Sequence, residues 1–167
     1  MSRANHAVTV EKSAFTQLSA QVQQLREMFV EIVRQSLYGQ STSGTCLYAA
    51  SVGARILNKF SPARVTVRGG DGAGDGGICV SGVWHGHYWM EAVIDDERYV
   101  VDVTGDQFGL PPVQILKIES SRADYVPGCQ STVESHVEEL FGKLSGGSGD
   151  CCCQRLQGDE KARARRA

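Results

Sequence analysis

The stretch HGHYWMEAVIDDERYVVDVTGD, residues 85–106, reads as a β-hairpin. Asp95-Asp96 makes a two-residue turn, which sets Ile94 opposite Glu97, Trp89 opposite Asp102 and His87 opposite Thr104. One face then carries Tyr88, Met90, Ala92, Ile94, Tyr99, Val101 and Val103, apolar apart from the phenol groups. The other carries His87, Trp89, Glu91, Arg98, Val100, Asp102 and Thr104. A slip of one residue would mix the faces, so the pattern selects this register. Asp102 becomes the diagonal neighbour of His87, roughly 7–8 Å away between backbones, a gap that side chains bridge. An aspartate there can accept the imidazole N–H, set its tautomer and balance its cation. The bland alternative is a charged cross-strand pair on a solvated face.

On the N-terminal side, residues 11–38 repeat apolar side chains at Phe15, Leu18, Val22, Leu25, Phe29, Ile32 and Val33, one face of a helix that Gly39 ends. A polar loop, QSTSGTC, leads into CLYAASVGARILNKF, a second helix that Pro62 stops. ARVTVR (63–68) alternates as a strand, and GGDGAGDGG (69–77) reads as a mobile loop. ICVSGVW is further strand before the hairpin. VQILKI, after DQFGLPP, fits a sheet edge. STVESHVEELFGKL closes the domain as a helix, with Ser131 and Glu134 at capping-box spacing and Val133, Val137, Leu140, Phe141 and Leu144 as its buried stripe. The expected layout is α+β: N-terminal helices packed on an antiparallel β-sheet, with one helix last. Residues 1–10 read as a flexible N-terminus, 11–145 as one domain, and 146–167 as a Gly/Ser linker with a disordered cysteine-rich and basic tail.

The bulk numbers agree with one soluble domain. The chain has 167 residues, 41% hydrophobic and 22% charged, with a net charge of −2 at pH 7. That balance argues against nucleic acid as a partner, because phosphate neutralisation needs a basic stripe. KARARRA at the end is short and reads as a solubilising tail. No segment has the run of ~20 apolar residues that a membrane-spanning helix needs. The N-terminus lacks the apolar core of a secretory signal, so a cytoplasmic location is expected. The six cysteines are then expected as reduced thiols. The run Cys151, Cys152, Cys153 lacks the gaps of a zinc knuckle, with palmitoylation a weaker alternative.

The His–Asp pair lacks a nucleophile, and Cys46 supplies one. It follows a polar glycine loop and opens the second helix, where backbone N–H groups and the positive end of the dipole favour a thiolate. A small buried apolar cysteine is the alternative. Gln40 lies six residues upstream, and its amide N–H could donate to a developing oxyanion. Trp84 and Trp89 are candidate walls of an acyl pocket, with ordinary packing as the alternative.

Taken in order, GTCLYAASVGARIL, PARVTVRGG, GHYWMEA and YVVDVT resemble the transglutaminase-like branch of the papain-like cysteine enzymes. The resemblance spans about residues 40–105. In that family a cysteine opens a helix, a short strand with Pro-Ala-Arg follows, and a His-x-Trp-x-Glu strand pairs with one ending Asp-x-Thr. Here these are Cys46, Pro62-Ala63-Arg64, His87–Glu91 and Asp102-Val103-Thr104. The Gln-x5-Cys spacing of Gln40 and Cys46 is similar to that of papain-type proteases. Two departures stand out: Thr45 precedes Cys46 where animal transglutaminases have glutamine, and Val103 follows Asp102 where proline is frequent. The glycine loop lacks an EF-hand's ligand spacing, so no calcium site is expected.

The resemblance implies a papain-like fold and a Cys46-His87-Asp102 triad acting on an amide of a protein or peptide, most simply as a protease or glutamine deamidase without a cofactor. Two other classes fit the same residues. One is an idle member of the fold that binds a partner through its cleft. The other is a metal site using His85, His87 and Cys79 or Asp106.

Overall fold

A computed structural model describes residues 3–36, 44–72 and 74–145. Helix α1 runs Arg3–Gln35 and α2 runs Cys46–Phe60. Strands β1 (Arg64–Gly70), β2 (Gly77–Val80), β3 (Val83–His85), β4 (His87–Ile94) and β5 (Glu97–Asp102) follow. After a 3-10 turn at Gly105–Phe108 come β6 (Gln114–Lys117), the short α3 (Ile118–Ser121), β7 (Tyr125–Val126) and α4 (Gln130–Ser145). The architecture is α+β with two antiparallel sheets, ordered β1-β4-β5-β6 and β3-β2-β7.

The hairpin takes the register that its pattern demands. Ile94 faces Glu97, Ala92 faces Tyr99 and Met90 faces Val101. Asp95 and Asp96 both have positive φ, 48° and 65°, as the tight turn between right-twisted strands requires. Met90, Ala92, Ile94, Val101 and Val103 face the helices, in a core with Leu18, Val22, Leu25, Phe29 and Val33 of α1 and Ala49, Ala50, Ala54 and Leu57 of α2. Gly53 lets these layers meet: a Cβ there would lie 2.8 Å from both Leu25 Cδ2 and Met90 Sδ. The opposite face builds a second core from Trp89 and Val100, covered by Ile78, Ile118 and Tyr125. The larger sheet is therefore buried on both faces around His87 and Asp102.

Several boundaries differ from the sequence reading. The helix expected over 11–38 begins at Arg3, so residues 3–10, expected as flexible, are helical; nothing among them breaks a helix. Phe15 and Ile32 are exposed, the Phe15 ring tilted against Tyr99 at 5.1 Å between centroids, and the rest of the expected stripe is buried. ICVSGVW folds as a hairpin rather than one strand, turning at Ser81-Gly82, where both residues have positive φ. The glycine run is close-packed at its ends and open at Gly74: a Cβ on Gly70 or Gly128 would strike the Asp75 backbone, and one on Gly69 the His87 carbonyl. Its glycines permit close approach as well as turning.

The capping box expected at Ser131 is absent because α4 already begins at Gln130, two residues before a Ser131 cap would start it, with Val133 N–H donating to Cys129 O. Leu144, placed in the buried stripe, is exposed. Gly39 and residues 146–167 lie outside the described residues. Among those described, no helix is long and apolar enough to cross a membrane.

Candidate active site

Cys46 is the first residue of α2, partly buried, and no acid occupies the first turn of that helix. Its backbone N–H belongs to the set that a helix start leaves without an intrahelical acceptor. His87 opens β4 and Asp102 closes β5, on the face turned away from the long helices. The antiparallel pairing brings His87 Nε2 within 2.8 Å of Asp102 Oδ2, with the two side chains 0% and 1% exposed. A carboxylate only accepts, so Nε2 carries the proton and donates it.

A buried carboxylate is costly unless its lone pairs are filled, and those of Asp102 are. Oδ2 also accepts from Tyr125 OH at 2.9 Å. Oδ1 accepts from Thr104 N–H at 2.8 Å and Thr104 Oγ1 at 3.2 Å. Gln114 Nε2 donates to the Tyr125 hydroxyl at 2.8 Å, which turns the phenol proton toward Asp102. Burial alone would raise the Asp102 pKa. The His87 hydrogen bond and charge, with Thr104 and Tyr125, overcome it and hold the carboxyl below its ordinary value.

The same contest is settled in favour of charge at His87. Burial pushes the imidazole pKa down, but hydrogen bonds and charges from Asp102 and Cys46 push it up to about 9. Because Asp102 takes Nε2, Nδ1 is the ring nitrogen left to answer Cys46. Nδ1 itself is buried and makes no hydrogen bond of ordinary geometry. Phe108 packs edge-on against the imidazole at 4.9 Å, shielding it.

The loop before Cys46 is tied to the segment after Asp102. Gly44 N–H donates to Gln107 Oε1 at 3.1 Å. Arg26 of α1 donates to Val103 O at 2.6 Å and binds Asp106 through both carboxylate oxygens. On the helix side, Tyr88 OH lies 2.7 Å from His136 Nδ1. The Tyr88 pKa is raised by burial first, then by the charges of Cys46, Asp71 and Asp75.

Of the residues selected from sequence, Cys46, His87 and Asp102 come together. Gln40 lies outside the described residues. Trp89 is 1% exposed and packs on Tyr125 and His87, so it cannot wall an open pocket. Its strand face is the one that β2 and β7 cover. Trp84 is 47% exposed on β3, beside a cavity of about 210 Å³ that it shares with Gly72, Gly74, Gly76 and Val126. Among the described residues no group of three or more His, Cys, Asp and Glu side chains is placed to hold a metal. His85 instead packs on Phe108 at 5.1 Å, and Asp106 pairs with Arg26.

Tyr125, Gln114, Gln107 and Arg26 were not singled out from sequence. Thr104 was, through the Asp-x-Thr spacing, because a side chain bonding a backbone N–H two residues on is a local event. Tyr125 and Gln114 reach the site from β7 and β6, Arg26 from α1 and Gln107 from the turn after Asp102. No family model, curated protein or solved structure matches this chain.

Proposed function

We propose that this protein is a cysteine hydrolase of the papain-like, transglutaminase-like type, cleaving an amide through a Cys46-His87-Asp102 triad. The observation that carries the reading is the state of His87. Its Nε2 is committed to a fully hydrogen-bonded buried carboxylate, while Nδ1 answers to the charge of Cys46 at the start of a helix. A merely structural histidine at 0% exposure would be expected to use both nitrogens.

In this mechanism the Cys46 thiolate attacks the amide carbon and the carbonyl π pair moves onto oxygen. As that pair returns, the C–N bond breaks and the His87 Nδ1 proton passes to the leaving amine, leaving a thioester. Water then gives a proton to Nδ1 and attacks the thioester, releasing the acid and restoring the imidazolium–thiolate pair. Asp102 holds the imidazole in its tautomer and balances the cation throughout. Peptide-bond cleavage and glutamine deamidation follow the same steps and differ only in the amide presented. Water is favoured over an amine as second nucleophile, because a small open domain has little with which to exclude it.

The test is incubation of the protein and its Cys46→Ala variant with a mixed peptide set rich in glutamine, read by mass for cut or deamidated products. Products that depend on Cys46, with a transient acyl group mapped to that residue, support the reading. Their absence, with Cys46 no more reactive toward iodoacetamide than a free thiol, rejects it.

A further inference from the structure

The proposed chemistry creates an oxyanion, and Gln107 carries an unused donor beside the nucleophile's loop. Its Oε1 accepts from Gly44 N–H, a bond that only the oxygen end of the amide can make. This leaves Nε2 facing elsewhere, buried and without a hydrogen-bond partner. The two polar atoms of an amide are about 2.3 Å apart, which keeps Nε2 within about 5.5 Å of the Gly44 nitrogen, two residues before Cys46. An amide N–H buried without an acceptor is destabilising, so such a group calls for an explanation.

Other buried donors lack partners too, but none suits this role. Trp89 is only 1% exposed and its whole side chain lies in the core, whereas Gln107 is half-buried at the surface. Arg68 Nε faces Glu91 at 3.6 Å, and Ser51 lines the groove between α2 and α4, away from the loop that Gln107 holds.

We infer that Gln107 is a catalytic residue of the site, its Nε2–H donating to the oxyanion that forms on the carbonyl attacked by Cys46, together with the Cys46 backbone N–H. This inference rests on the triad reading above. It also gives the 3-10 turn after Asp102 a role, since one short segment both follows the carboxylate and supplies the donor. Holding Oε1 on Gly44 sets the donor's position before substrate arrives, which is what makes such a donor effective.

Two reactions of the same sulfur separate this role from simple support of the loop. With p-nitrophenyl acetate, the thiolate adds to the carbonyl and an oxyanion forms. Its collapse expels p-nitrophenolate and leaves an acetyl thioester. Iodoacetamide alkylates the thiolate by displacing iodide and forms no oxyanion. Both are followed on the Cys46 peptide by mass after acid quench, in the full chain and in Gln107→Leu and Gln107→Glu. Glutamate keeps an oxygen for Gly44 N–H and loses the donor.

The expected result is acylation slowed about 100-fold in both variants, the usual loss for one oxyanion donor, with alkylation within about 3-fold of the parent. Equal loss of both reactions in Gln107→Leu, restored in Gln107→Glu, would make Gln107 a loop anchor and overturn the inference. Unchanged acylation in both variants would overturn it as well. A parent protein that alkylates at Cys46 but never acylates there would instead reject the triad reading, and this inference with it.

Discussion

His87 Nε2 and Asp102 Oδ2 sit 2.8 Å apart, sealed from solvent, and every oxygen lone pair directed at the pair has a protein donor. The imidazolium is favoured up to about pH 9 because the bonds and charges of Asp102 and Cys46 outweigh burial. Asp102→Asn removes the charge and keeps the shape. Burial then dominates, the imidazole turns neutral, and the enhanced reactivity of Cys46 at mildly acidic pH should vanish, with turnover down roughly 10³- to 10⁴-fold. His87→Ala should act alike on alkylation, whereas His85→Ala and Asp106→Asn should leave it near the parent. Alkylation of Cys46 against pH in the four variants checks this, and sensitivity confined to His85 and Asp106 would refute it.

Cys129 complicates any such measurement. It is exposed, and its thiol pKa is lowered to about 7 by the Ser131 hydroxyl first, then by Thr132 and the Ser131 N–H. The sulfur lies 3.1 Å from Ser131 Oγ. Cys129 should therefore alkylate with a midpoint near pH 7, moved upward in Ser131→Ala. Cys46 should lead at about pH 6, where Cys129 is mostly protonated, and lose that lead above neutrality. Peptide-resolved alkylation rates decide it; a Cys129 midpoint at the ordinary thiol value would show that Ser131 does not act as described.

Arg26 joins α1 to the segment that carries Gln107. Its side chain is 13% exposed and that of Asp106 32%, so the ion pair is partly screened. Asp106→Asn should cost no more than about 1 kcal/mol. Arg26→Ala should cost more, about 1–3 kcal/mol, because it also strips Val103 O of its donor. Urea unfolding of both variants tests the order, and equal costs would mean that the carboxylate, not the Val103 carbonyl, is the partner that matters.

The hairpin was legible because two constraints agree: a two-residue turn sets the register, and period-two alternation admits only that one. The stripes of α1 and α2 were legible for the same kind of reason. The second sheet was not, since strands of four, three and two residues are too short to show a period. The glycine run misled because composition reports turning, not contact. Its packing depends on Gly128 and on Cys129 N–H, which donates to Asp75 across 54 residues of sequence. Trp89 was misassigned because it shares a strand face with His87, and sequence alone did not reveal that β2 and β7 cover that face. Separation along the chain likewise hides Tyr125 and Gln114, the more distant supports of Asp102.

Tyr125 stands 23 residues from Asp102 and donates to it through a phenol that Gln114 orients. Tyr125→Phe keeps the ring against Trp89, 5.2 Å between centroids, and deletes only the hydroxyl. Gln114 then loses an acceptor and Asp102 one of its donors, for a cost of about 1–3 kcal/mol. The pH dependence carries more information. A carboxylate held below its ordinary pKa stabilises the fold above the unfolded value, and that contribution is lost as pH falls through the folded value. With the phenol gone, the folded pKa of Asp102 rises toward the unfolded one. The loss should therefore begin at higher pH, shifting the acid-unfolding midpoint upward, while Gln114→Leu should produce a smaller shift of the same sign. Melting temperature followed through the acid range in both variants measures this. A Tyr125→Phe protein that is uniformly weaker at every pH, with an unmoved acid midpoint, would reduce Tyr125 to packing and leave His87 and Thr104 as the groups that keep Asp102 charged.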